Sequence, residues 1–379
     1  MIPYGRQRIS QQDIEAVVEV LNSDFITQGP KVKLFEQRIA EYCQVRYSYA
    51  VNSATSALHV ACLAIGVGEG DEVWTSPNSF VASSNCALYC GATVDFVDID
   101  IKTGNLCVDA LETKLAECNE PPKVLIPVHF AGQSCDMKRI KALSDKYGFR
   151  IIEDASHAVG GKYQDKPVGS CEYSDICVFS FHPVKIVTTA EGGMALTNCP
   201  ELAEKLALYR SHGVTREPEL MTIDSPEPWY YQQVELGLNY RMTELQAALG
   251  ISQTNNLDGF VKKRNELAAV YKMAFDEVGI SYLQVDETCY SAYHLFVIKV
   301  PEDIRCELFK YLRENKIGVN VHYIPIHTQP YYQKLGFEQG QFEQAEKYYS
   351  QCISIPLFPD LTSSDQQFII ETIKAFLCK

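Results

Sequence analysis

Seven short apolar runs punctuate the first half of the chain, at residues 47–51, 72–76, 93–97, 124–128, 150–153, 176–181 and 193–197. Their length and their valines, isoleucines and aromatics read as strands. Between most of them the apolar spacing changes to the helical period, as over residues 54–65, 79–89 and 137–147. Strands that alternate with helices need crossover connections. The pattern therefore predicts an α/β fold built on a mostly parallel seven-stranded sheet with helices on both faces. In such sheets ligands gather at the carboxyl ends of the strands.

The pattern changes after Gly213. Residues 214–237, with Pro218, Pro226 and Pro228, keep no regular period and read as a long loop. A helical region follows over residues 243–278, then a strand at 293–300, a helix at 301–314 opened by Pro301, a strand at 319–323 and a last helix at 364–376. We expect a large α/β domain over residues 1–240 and a smaller α+β domain over residues 241–379, as a chain of 379 residues favours two cores.

Composition narrows the field. Apolar residues make up 46% and charged residues 22%, as in ordinary globular proteins. A net charge of −14 without any basic run argues against a nucleic-acid or anionic-membrane partner. The opening residues lack the charged and apolar segments of a secretion signal, and no apolar run approaches membrane-spanning length, so a cytoplasmic protein is expected. The 14 cysteines are scattered without a C-x-x-C pair and fit reduced thiols; Cys86 and Cys90 come closest to a pair, one helical turn apart. Gly66, Gly68 and Gly70 have the wrong spacing for a nucleotide loop and read as a turn. Asp95, Asp98 and Asp100 read as a solvated strand end. His322 and His327 lack a third ligand, so substrate contacts are expected there and no metal.

Candidate chemistry collects at the expected sheet edge. Phe149-Arg150-Ile151-Ile152-Glu153-Asp154 is an apolar strand closing on two carboxylates, although an isolated aspartate there is more often a cap. Ile176-Cys177-Val178-Phe179-Ser180-Phe181 runs into His182-Pro183-Val184-Lys185, which sets a lysine just beyond a buried strand. Asn52-Ser53-Ala54-Thr55 follows a strand and opens a helix, where free N–H groups and hydroxyls can face an anion; an ordinary serine cap fits equally well. Phe80 opens the next strand-to-helix unit, as a core residue or as a ring-facing aromatic. A lysine for covalent attachment, a carboxylate for the pyridinium nitrogen, a phosphate site and an aromatic cover are the partners that pyridoxal phosphate (PLP) requires.

In this order, Asn52 through Leu58, Ser79-Phe80-Val81-Ala82, Glu153-Asp154-Ala155-Ser156-His157-Ala158, Phe179 through Lys185, Glu191-Gly192-Gly193, His212-Gly213 and Asn239-Tyr240-Arg241-Met242-Thr243-Glu244 resemble the sugar aminotransferases of the DegT/DnrJ/EryC1/StrS family. The resemblance runs from about Ile2 to the C-terminus and implies a fold-type I aminotransferase that uses PLP. It implies that Lys185 binds the cofactor covalently and later moves the substrate proton, that Asp154 pairs with the pyridinium nitrogen, and that His157 lies by the phenolic oxygen. Ala54 (through its backbone), Thr55 and Ser180 would hold the phosphate, and Phe80 would cover the ring. Asn239 would reach the neighbouring subunit's cofactor phosphate, which makes a homodimer with shared sites.

Leu21-Asn22-Ser23 through Thr27-Gln28-Gly29, Ser180 through Lys185 with Thr188 through Gly193, and Val321-His322-Tyr323-Ile324-Pro325-Ile326 resemble the branch that makes the 4-amino sugar of the pseudaminic acid pathway. That implies L-glutamate as donor and a UDP-linked 4-keto-6-deoxy amino sugar as acceptor. Tyr4, Asp24, Phe25, Ile26, Thr27, His322, Tyr323, Ile324, Pro325 and Ile326 would line the sugar-nucleotide pocket. Two rivals differ at single positions: a related sugar dehydratase has histidine in place of Lys185, and a non-catalytic relative would have lost Lys185 or Asp154.

Overall fold

The computed structural model describes residues 1–223, 225 and 227–377, so Pro226 of the expected loop lies outside the described residues. The seven runs form β1 (Tyr47–Val51), β2 (Glu72–Thr75), β3 (Thr93–Phe96), β4 (Val124–Ile126), β5 (Arg150–Asp154), β6 (Ile176–Ser180) and β7 (Gly193–Thr197). They make one sheet in the order β1-β7-β6-β5-β4-β2-β3. Only β7 runs against its neighbours, pairing antiparallel with β1 and β6; the other ladders are parallel.

Alternation along β6 shows why this run had to be apolar throughout. Ile176 and Val178 pack with Leu58, Ala61 and Ile152 on one face, where helix α3 (Ala54–Ile65) lies. Cys177 and Phe179 pack with Phe35, Ile39 and Met194 on the other, under helix α2 (Pro30–Cys43). Every residue of β6 is buried. Each large apolar side chain so covered contributes about 1.5–3 kcal/mol relative to exposure. Two helices precede the sheet without having been expected. Helix α1 (Gln11–Leu21) starts on a capping box between Ser10 and Asp13, and α2 starts on Pro30.

The expected helix over 243–278 is two helices, α8 (Glu244–Thr254) and α9 (Leu257–Asp276), with Asn255 and Asn256 at the break. Ala247, Leu257, Phe260 and Val261 pack into the core that holds Phe179 and Met194. From Leu267 onward α9 packs into another core with Phe296, Ile298 and Ile353. We propose that the two units expected on either side of residue 240 share α9 as a common strut.

The C-terminal sheet has three antiparallel strands, β8 (Ser281–Tyr282), β9 (Phe296–Lys299) and β10 (Cys352–Ile355), in that order. Helices α10 (Glu302–Glu314) and α13 (Ser363–Leu377) contribute Leu308, Leu312, Ile369 and Ile373 to the core against it. Pro301 sits at the N-cap of α10 rather than inside it. The strand expected at 319–323 is not one; only Asn320 bridges to Ser354. Beyond Asn320 the backbone leaves the ladder, with Tyr323 N donating to Asn78 in the turn after β2 and the His322 carbonyl accepting from Tyr348 in the helix Glu343–Gln351. The loop after Gly213 contains a small ladder, Val214–Thr215 against Gln232–Gln233. No helix among the described residues is long and apolar enough to cross a membrane.

Candidate active site

Asp154 and Glu153 close β5, and the twofold alternation of a strand sends their side chains to opposite faces. Glu153 meets His129 at 2.6 Å and Ser174 in a buried cluster. Asp154, 5% exposed, turns to the sheet edge. The Ser83 hydroxyl donates to its Oδ2 at 2.6 Å and the Ser156 N–H to its Oδ1 at 3.1 Å. Ser83 lies in helix α4 (Ala82–Tyr89) and is itself backed by Ser79 at 2.7 Å. Hydrogen bonds on both oxygens fix the plane of the carboxylate.

Lys185 lies just past β6. The turn is closed by the Lys185 N–H on the His182 carbonyl and by Thr189 N and the Thr188 hydroxyl on the Phe181 carbonyl, which fold the loop back onto its strand. Burial pushes the Lys185 amine down to about 8, and the negative charge of Asp154 pulls it the other way. The strand-end carboxylate and the lysine expected from the sequence thus interact electrostatically. At about pH 8 half of the amine is neutral, which is the nucleophilic form.

At the neighbouring strand end, Ser53 caps α3, its Oγ accepting from Ser56 N at 3.1 Å, while the Ser56 hydroxyl donates to Asn52 at 2.6 Å. The serine-cap reading therefore holds for Ser53, whereas the N–H groups of Ala54 and Thr55 and the Thr55 hydroxyl have no partner among the described residues. Gly193 opens β7 against this turn. A Cβ there would lie 2.5 Å from the Ser53 carbonyl oxygen and 2.6 Å from the Ala54 nitrogen. Ser180 is paired with Gly193 across the ladder, which brings its hydroxyl beside the same turn. Free N–H groups at the start of a twelve-residue helix favour a phosphate.

His157 is buried in the turn after β5, and its Nε2 lies 3.2 Å from the Tyr323 hydroxyl. Burial, with the positive charge of Lys185 and then His322, holds His157 well below the usual imidazole range. The ring of His294 packs on it, centroids 4.4 Å apart. Sequence reasoning missed both Ser83 and His294: a serine on a helix and a lone histidine before a strand carry no motif. Phe80 is 59% exposed and 6.4 Å from the Tyr323 ring, so it is not a core residue.

The remaining expected positions divide. Tyr4 packs on His322 at 5.4 Å, and burial pushes His322 down to about 3, with Lys185 adding to the effect. Ile324 is exposed, but Ile326 is buried with Val94, Phe96 and Tyr332, and Pro325 is buried beside it. Asp24, Phe25, Ile26 and Thr27 lie on the surface against the start of α8, where Glu244 N donates to the Ile26 carbonyl. Asn239 is exposed, and its side chain makes no hydrogen bond among the described residues. His327 is no substrate contact: it is fully buried, bonded to Glu346 at 2.8 Å and packed on Phe96 and Phe342. The aspartates read as a solvated strand end are engaged instead. Asp95 pairs with Lys114, Asp98 accepts from Gln344 N and Ala345 N, and Asp100 accepts from Lys102 N.

A mostly parallel sheet with a depressed-pKa lysine beyond one strand, a fixed carboxylate on the next and an open helix start beside them is the frame of a PLP-dependent aminotransferase. The DegT/DnrJ/EryC1/StrS aminotransferase family matches residues 7–374, and the chain belongs to it. It is 38% identical over 380 residues to the spore coat polysaccharide biosynthesis protein SpsC of Bacillus subtilis, covering 98% of this chain and 96% of that one. It is 37% identical over 383 residues to a UDP-4-amino-4,6-dideoxy-N-acetyl-beta-L-altrosamine transaminase of Campylobacter jejuni, covering 100% and 98%. Helicobacter pylori PseC, an aminotransferase involved in the biosynthesis of pseudoaminic acid, superposes with a TM-score of 0.92 at 34% identity over 100% of both chains. The chain is a sugar aminotransferase and its cofactor is PLP, in which form a further structural neighbour at 30% identity has been solved. The open N–H groups at the start of α3, the fixed Asp154 carboxylate and the Lys185 amine fit that cofactor.

Proposed function

We propose that the enzyme transfers the amino group of L-glutamate to C4 of UDP-2-acetamido-2,6-dideoxy-β-L-arabino-hex-4-ulose, giving UDP-4-amino-4,6-dideoxy-N-acetyl-β-L-altrosamine. When bound, PLP supplies an electron sink for the charge left by a broken C–H bond. Lys185 would hold the cofactor covalently, and its amine would take a proton from the glutamate α-carbon and deliver one to C4 of the sugar. Asp154 pairs with the pyridine nitrogen, its plane set by Ser83 and Ser156. His157 would face the phenolic oxygen, and Phe80 would cover the ring. The Ala54 N–H, Thr55 and Ser180 hold the phosphate.

The enzyme would act as a cytoplasmic homodimer in which Asn239 reaches across to the partner's cofactor phosphate. Tyr4, Asp24 through Thr27, His322, Tyr323 and Ile324 would line the sugar-nucleotide pocket, with Pro325 and Ile326 supporting that wall from within the fold. The Asp154 carboxylate fixed at the end of β5, with Lys185 just past the adjacent strand β6, carries the chemical part of this reading. The whole-length similarity to the Campylobacter enzyme supports its substrate. The test is incubation with glutamate and a panel of UDP- and dTDP-linked 4-keto sugars, the product being identified by mass and NMR. Amination of the UDP-linked 4-keto-6-deoxy N-acetyl sugar at C4 is expected; selective amination of a different sugar would replace the substrate but not the chemistry.

A further inference from the structure

His157 comes from the turn after β5, yet its ring is held by residues from the C-terminal part of the chain. The Tyr323 hydroxyl lies 3.2 Å from Nε2, and the His294 ring packs on the imidazole at 4.4 Å. His294 is fixed through its backbone. The buried Arg264 guanidinium donates to the carbonyls of Tyr293, His294 and Leu357 at 3.2, 3.3 and 2.8 Å. Gly132 passes so near that a Cβ there would lie 2.8 Å from the His294 nitrogen. The His294 ring therefore has little freedom to swing away from His157.

The proton positions follow from this packing. Burial lifts the Tyr323 phenol above its ordinary range, so it keeps its proton. Among the described residues His157 Nε2 is the acceptor that its hydroxyl meets. An imidazole held well below its usual range is neutral at pH 7 and carries one N–H. If Nε2 accepts, that proton sits on Nδ1, which is buried and has no partner among the described residues. The opposite tautomer would make the phenol an acceptor and leave its own proton unplaced, so each tautomer leaves one donor unmet among the described residues; in the Nδ1–H form that donor is the buried ring N–H, free for a ligand oxygen.

We infer that Tyr323 is a positioning residue that fixes His157 as its Nδ1–H tautomer, with His294 packed on the ring, so that His157 offers a single N–H to an oxygen of the bound cofactor. The inference rests on the PLP site proposed above but gives Tyr323 a task separate from contact with the sugar. Eight histidines make selective 15N labelling practical. Imidazole 15N shifts report the tautomer, and His157→Asn identifies the signal. In wild-type protein, with and without PLP, His157 should be the Nδ1–H form. Tyr323→Phe should shift the tautomer ratio about tenfold toward Nε2–H, the worth of one hydrogen bond. An Nε2–H tautomer in the wild type overturns the inference without any variant. So does a tautomer unmoved by Tyr323→Phe while KM for the sugar rises, which would make Tyr323 a substrate contact alone. Failure of the protein to bind PLP, seen separately by absorbance, would instead sink the proposed site.

Discussion

The Ser83 hydroxyl donates to Asp154 Oδ2 at 2.6 Å, tying the first turn of α4 to the carboxylate that closes β5. An aspartate paired with the pyridine nitrogen acts on every step that develops charge on the ring. Asp154→Ala should slow the half-reactions with glutamate and with the sugar alike, by about ten- to a hundredfold, as for a lost hydrogen bond to a charged group. Ser83→Ala should slow both by a smaller factor, on the order of fivefold. Single-turnover absorbance with each substrate measures this. A defect confined to the sugar half-reaction would make Asp154 a substrate contact.

The Lys185 amine, pushed down to about 8, is half neutral near that pH, while an exposed lysine titrates near 10.4. In cofactor-free protein, acetic anhydride labelling of Lys185, followed by peptide mass, should therefore rise through a midpoint near pH 8. Because the Asp154 charge favours the protonated amine, Asp154→Asn should move the midpoint lower still. A midpoint at the ordinary lysine value would show that burial does not act on this group.

Gly193→Ala forces a methyl group to within 2.5 Å of the Ser53 carbonyl oxygen, against backbone that has no side-chain freedom to yield. We expect a loss of about 1–3 kcal/mol in stability. PLP affinity should fall as well, because the turn that moves is the one proposed to hold the phosphate. Tm and equilibrium PLP binding are the measurements. Unchanged values for both would mean that the two segments are not packed as described.

Asn239→Ala should weaken PLP retention about tenfold if its amide donates to the partner's cofactor phosphate. Mixing Lys185→Ala and Asn239→Ala chains under subunit exchange tests the sharing. One site of each heterodimer then carries both defects and the other carries neither, so PLP affinity and turnover should partly recover. A mixture that merely averages its parents, with exchange demonstrated, would place Asn239 in its own chain's site.

Much of this was legible in the sequence because burial on both faces leaves a strand little choice of residue. Ile176 through Ser180 and Gly193 through Thr197 form the strands their apolar runs announce. The edge residues Asp154 and Lys185 were visible because each follows such a run. What tertiary contacts decide was not visible. Residues 319–323 alternate like a strand, but only Asn320 pairs with a strand, at Ser354, and the next hydrogen bonds go to Asn78 and Tyr348. The strand beside them is Cys352–Ile355, a four-residue run directly behind a helix. Nothing about His327 separated a buried partner of Glu346 from a pocket residue, and nothing around Ser83 showed that it faces Asp154. The capping box of α1, by contrast, was present in the sequence at Ser10 and Asp13.

The central claim is that Lys185 is the residue that carries the cofactor and moves the proton. Lys185→Ala should lower turnover by about three or more powers of ten, as for loss of a covalent catalyst that is also the general base. The most direct measurement is borohydride reduction of the PLP-loaded protein, followed by digestion and peptide mass. The cofactor should be fixed on the peptide that contains Lys185 and on no other. Cofactor fixed on a different lysine, or none fixed in protein that still turns over, would contradict it.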